Sequence, residues 1–234
     1  MNKFTTFQLT LLFYILSVGL ADCSTDPLKA ITDICMEQPV KLCEDRIVGQ
    51  GPTRDAFILV VKLIKQQKKA MAMYEGRFGM NQVERFNKLF NFKPVMPNFS
   101  EYSSQQINKN ERLYIDKRDN QVTLSKIAGT WKIDMDKSRL KTSPLGEKMK
   151  MLRILLGFYH DLQERMEQRQ SLEVIEKATL LAFTGIFYYD VPPDRPEKEQ
   201  FRKFLSQNAT TPEEIQKKLL NIADNCSRQS DGTK

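Results

Sequence analysis

Histidine is nearly absent from this chain of 234 residues, in which His160 is the only one. A Ser-His-Asp or Cys-His mechanism would have to run through it. Yet His160 sits inside an amphipathic run beside Asp161, and no Gly-x-Ser-x-Gly elbow occurs anywhere. Tetrahedral zinc needs three or four His, Cys or carboxylate ligands close together, which one histidine and a few bridged cysteines do not supply. No metal or cofactor is expected. Cys-x-x-Cys spacing is also missing, so the cysteines read as staples without redox chemistry. Asp134 to Ser138 imitates the start of a calcium loop, but Arg139 stands where that loop needs glycine and Leu145 where it needs a bidentate glutamate. No repeat and no low-complexity block appears.

Long apolar runs are equally scarce. The one at the amino terminus follows Lys3, extends from Phe4 to Leu20 and closes on the small residues Gly19 and Ala21. That pattern predicts a secretory signal peptide over residues 1–21, cleaved after Ala21. The next most apolar stretch, Ala178 to Tyr189, falls short of the roughly 20 residues a membrane helix requires, so no transmembrane span is expected. A secreted, extracellular protein follows, in an oxidising compartment. The formal net charge of +7 suits sulfated polysaccharide, anionic lipid head groups or an acidic partner. Nucleic acid is not an expected partner outside the cell.

Cys23, Cys35, Cys43 and Cys226 survive the expected cleavage and allow two disulfides in three connectivities. Cys226 has no cysteine near it in sequence, which predicts a bridge from the carboxy-terminal helix to the amino-terminal segment. The preferred pairing is Cys23 with Cys43 and Cys35 with Cys226. Three glycosylation sequons begin at Asn98, Asn208 and Asn225. Asn98 and Asn208 are expected in surface segments, and Asn225 to be hindered beside a bridged Cys226.

The apolar spacing predicts a mainly α fold, a disulfide-stapled helical bundle with a small β-hairpin insertion around residues 112–135. Asp26 and Pro27 open a first helix and a second covers Val40 to Val48. Gly49 to Pro52 breaks the chain, and a long amphipathic helix runs from Thr53 until Gly76 and Gly79 end it. Asn81 caps a shorter one. Residues 93–111 read as an exposed loop. After it, Trp131, Ile133 and Met135 alternate with Lys132 and Asp134 as in a strand, and Arg118 to Asn120 form a turn. Ser143 and Pro144 open the clearest helix, through Leu152, Leu156, Tyr159 and Met166. Ser171 caps a helix apolar around much of its circumference, expected at the centre of the bundle. A short helix carries Phe201, Phe204 and Leu205, and Thr211 to Glu214 form a capping box for the last one. One domain over residues 22–228 is expected, with helical halves 26–92 and 143–226 joined by the loop and β segment 93–142, and a flexible tail over 229–234.

Two lysine groups stand out as candidate polyanion-binding surfaces. Lys62, Lys65, Lys68 and Lys69 cluster on the polar side of the long helix; Lys132, Lys137, Arg139, Lys141, Lys148, Lys150 and Arg153 make the other. Phe183, Phe187, Tyr188 and Tyr189 are candidates to line an apolar pocket, and Glu164 with Glu167 are candidate hydrolytic carboxylates. The reading these residues favour is a secreted, N-glycosylated helical protein that acts without catalysis, as an extracellular ligand or interaction factor for an extracellular or cell-surface protein. A carrier of an apolar small molecule or lipid, and a carboxylate-based hydrolase, are the rivals.

Overall fold

The computed structural model describes residues 26–90, 102–117, 119–139 and 145–231. The leader, Cys23, Asn98, Arg118, and Ser143 with Pro144 lie outside these. Among the described residues the chain forms eight helices and one five-stranded sheet. It is mainly helical without being a pure bundle. The described residues fall into two compact units: a sheet unit from those up to Lys62 and those from Tyr102 to Met149, and a helical unit from those between Leu63 and Phe90 and those from Lys150 on.

In the sheet unit, α1 (Pro27–Glu37) begins where Asp26 accepts a hydrogen bond from the Leu28 N–H. Leu28, Ile31 and Cys35, at i, i+3 and i+7, are its buried side. The short α2 (Val40–Glu44) follows, and Cys43 is bonded to Cys35. That bond corrects both expected pairings, Cys35 with Cys226 and Cys23 with Cys43. Both sulfurs lie in the same helical corner, with Pro39 between them to reverse the chain, so the local partner meets Cys35 first.

The second helix also stops sooner than its sequence suggests, because Ile47 and Val48 form strand β1. β1 lies parallel to β5 (Thr130–Arg139), and β4 (Gln121–Ile127), β3 (Glu111–Ile115) and β2 (Ser103–Asn108) extend the sheet antiparallel, in the order β1-β5-β4-β3-β2. The expected loop over 93–111 therefore contains a strand. Every residue of β2 is exposed, so no apolar alternation marks it. The turn Ala128–Gly129, with positive φ at both residues, joins β4 to β5 in the two-residue manner that matches strand twist. Between β3 and β4, the Asp116 carboxylate accepts from the backbone N–H and the side-chain amide of Asn120, closing the loop.

Register puts Ile47, Tyr114, Val122, Leu124 and Ile133 on one face of the sheet, all of them buried. There the Tyr114 hydroxyl donates to Asp26 at 2.7 Å, tying the sheet to the start of α1. Burial, and then the Asp26 carboxylate, push the Tyr114 pKa far up. Tyr114→Phe is expected to lose about 1.5 kcal/mol, the usual worth of a hydrogen bond to a charged group; urea unfolding monitored by circular dichroism measures it. On the other face Ser125 donates to Asp134, and Lys137 reaches both Asp134 and Glu111. Gly49 has φ near +103°, and a Cβ there would lie 2.8 Å from the Asp136 carboxylate, which accepts from the Gln50 N–H. Only glycine fits that passage into α3.

α3 (Pro52–Phe78) passes Gly76 without a break and stops at Gly79, whose φ is positive. From Leu63 onward it belongs to the helical unit, with α4 (Met80–Phe90), α5 (Leu145–Glu167, from Lys150 on), α6 (Leu172–Phe187), α7 (Pro196–Gln207) and α8 (Pro212–Asp231). Local caps set these ends. Ser171 accepts from the Val174 N–H at α6, and Thr211 and Glu214 bond reciprocally at α8. Gln66 of α3 donates to Gln163 of α5, while Arg85 of α4 pairs with Glu176 of α6. The core holds Tyr74, Leu155, Phe158, Tyr159, Ile175, Phe183 and Leu219. α6 is buried all round from Ala182 to Ile186, as its apolar circumference suggests, whereas Val174 and Leu180 nearer its start are exposed. No described helix is long and apolar enough to cross a membrane.

Candidate functional site

His160 is half-buried on α5. Burial, and then the nearby Lys69 charge, hold its pKa below the ordinary value. Its sequence neighbour Asp161 does not serve it: that carboxylate accepts from Arg165 at 2.7 Å and pairs with Lys218 at 3.2 Å. A base with a depressed pKa in the folded state leaves protonation to the unfolded chain. Stability is therefore complete above about pH 6.5 and declines as the pH falls from there toward the folded-state value. A melting-temperature series between pH 7.5 and 5 is expected to show this decline, reduced in His160→Gln. Asp190, whose pKa burial raises, acts with the opposite sign in acid and is common to both proteins.

Glu164 and Glu167 are exposed on one helix surface and accept from Gln168 and Gln163 respectively. They stand side by side and do not face across a cleft. Among the described residues, no group of three or more His, Cys, Asp or Glu is gathered closely enough to hold a metal. The candidate pocket aromatics are spent on one another: Phe183 meets Phe158 edge-on at 5.3 Å and Phe187 at 5.4 Å. Beyond them, Tyr188 and Tyr189 meet at right angles in a 3₁₀ turn, and the buried Lys198 ammonium lies 3.7 Å from the Tyr188 ring centre. Lys198 also donates to the Tyr188 carbonyl, which pins this turn to α7.

The α3 lysines divide. Lys62 pairs with Glu44 at 3.8 Å, whereas burial and the Lys68 charge lower the Lys65 pKa. Lys68 and Lys69 are exposed. Asn208 ends α7, and its side-chain amide donates to the Phe204 carbonyl at 2.8 Å. Asn225 is exposed on α8 beside a half-buried Cys226 that carries no bridge to a described cysteine, so the expected source of hindrance is missing. Burial, and then Glu164, raise the Cys226 thiol pKa.

A further cluster escaped the sequence reading. Lys126 and Trp131 are cross-strand partners in the β4–β5 hairpin, and Arg112 of β3 is on the same face through its pairing with Leu124. The Arg112 guanidinium lies 5.5 Å, and the Lys126 ammonium 5.9 Å, from the centre of the Trp131 ring. The available signal was the Ala128–Gly129 turn. Once a two-residue turn is set there, Lys126 must oppose Trp131. Compared with known protein families, curated proteins and solved structures, the chain matches none.

Proposed function

We propose that the protein is secreted and N-glycosylated, and that it acts without catalysis as an extracellular ligand or interaction factor recognised by another protein. The supporting observation is the apolar surface of α6 and the turn after it. Val174 is 48%, Leu180 46% and Tyr189 58% exposed. On a helical wheel Val174 and Leu180 flank the exposed Lys177, with Leu181 between them. Exposed apolar side chains grouped on one helix are a feature of partner-binding surfaces. The buried Cys35–Cys43 bridge fits export to an oxidising compartment.

The test is affinity capture from the native extracellular fluid with the wild-type chain and with Val174→Glu/Leu180→Glu, both checked for folding by circular dichroism. The expected result is a protein partner held by the wild type and lost by the variant. Equal capture by both would remove this surface from the reading. An unglycosylated chain retained in the cytoplasm of its own cell would remove the extracellular setting.

A further inference from the structure

We propose that Arg112, Lys126 and Trp131 form a binding site for the sulfate groups of a sulfated saccharide. The electrostatics come first. Both cations lie within 6 Å of one indole ring, and among the described residues neither is salt-bridged to a carboxylate. The π cloud of the ring holds them as neighbours, which is the arrangement an incoming anion needs.

Arg112 also lies beside the Tyr114 hydroxyl, two residues along the same strand face, and that hydroxyl donates to Asp26. Asp26 is the one carboxylate in this chain of contacts, and its Oδ1 already accepts from Leu28 and Tyr114. Glu111 and Asp134 occupy the other face, where Lys137 pairs with both. The guanidinium presents a planar fork of donors that matches the oxygens of a sulfate ester, and the exposed Lys126 adds a mobile point charge.

The setting selects a saccharide. The three side chains stand at the hairpin end of the sheet face that Leu124 and Ile133 bury further in, where Lys126 is exposed and Arg112 and Trp131 are half-buried, beside the exposed amide of Gln106, the cross-strand partner of Arg112. An extended chain bearing sulfates along its length can lie across such a surface, and the partly exposed indole offers an aromatic plane to a sugar ring. The choice of sulfate over other anions rests on the extracellular setting proposed above. The binding measurement itself uses purified protein and stands apart from both that setting and the α6 surface.

Trp131 is the only tryptophan in the chain, so intrinsic emission reports on this site alone. The experiment titrates the full chain with a heparin-derived hexasaccharide, with its desulfated counterpart and with sodium sulfate, following tryptophan emission and, in parallel, calorimetry. The expected result is a saturable emission change with the sulfated hexasaccharide only, weakened about tenfold in Lys126→Gln and further in Arg112→Gln/Lys126→Gln. Lys126→Gln leaves the Arg112–Tyr114–Asp26 contacts intact, so its folding is not at risk. Heat of binding with unchanged emission would overturn the proposal, placing the polyanion elsewhere, with the α3 lysines first in line. So would no binding at all, equal affinity in the variants, an equal response to the desulfated sugar, or an equal response to free sulfate.

Discussion

Gly157→Ala is expected to destabilise the protein by about 2 kcal/mol or more, although alanine is the better helix former by about 1 kcal/mol. A Cβ at Gly157 would lie 1.9 Å from the carbonyl oxygen of Leu219, far inside any contact distance. The obstacle is backbone, so no rotamer change relieves it, and α8 has to move off α5. Gly185 supplies the comparison. Its Cβ would meet the Ile215 side chain at 2.7 Å, and a side chain can give way. Gly185→Ala is thus expected to cost less, about 1 kcal/mol. Chemical denaturation of the two variants tests the order; a Gly157→Ala protein as stable as the wild type would mean that α5 and α8 do not approach this closely.

Cys35→Ala/Cys43→Ala is the second large effect. The bridge joins residues 8 apart in sequence, and closing so short a loop is worth about 2.5 kcal/mol in the chain-entropy model. A bridge from Cys35 to Cys226 would instead constrain most of the chain, for about 5 kcal/mol in the same model. The two pairings therefore predict different outcomes for Cys226→Ala. With Cys35 bonded to Cys43, that substitution is expected to change stability by under about 1 kcal/mol, because the side chain is only half-buried. Urea unfolding of the double and single variants, with peptide mapping under non-reducing conditions, separates them.

The parts of the fold legible from sequence are those whose physics is local. Asp26, Ser171 and the Thr211–Glu214 box mark helix starts because a cap is satisfied within three residues. The β4–β5 region showed its alternation because one face is buried and the other polar. β2 did not, since Ser103 to Asn108 are exposed on both faces and their pairing with β3 leaves no hydrophobic trace. β1 was unreadable for another reason: Ile47 owes its strand conformation to Ile133, a partner far along the chain. Choosing among cysteine pairings likewise needs three-dimensional proximity, which spacing does not contain. Candidate site residues fared according to the same division. His160 could be placed on a helix from its neighbours, but the meeting of Arg112, Lys126 and Trp131 depends on register across three strands.

The unit boundaries within α3 and α5 also order events during synthesis on the ribosome. A nascent chain that has reached residue 149 already contains every stretch of the sheet unit, whereas the helical unit still lacks its largest segment, 150–234. The latter half of α3 must wait, with Val60 and Val61 already belonging to a completed neighbour and Tyr74 still without α5 to α8. Translation thus gives the sheet unit a head start and leaves the latter half of α3 with its apolar side, Leu63, Ala70 and Tyr74, uncovered until the last four helices emerge.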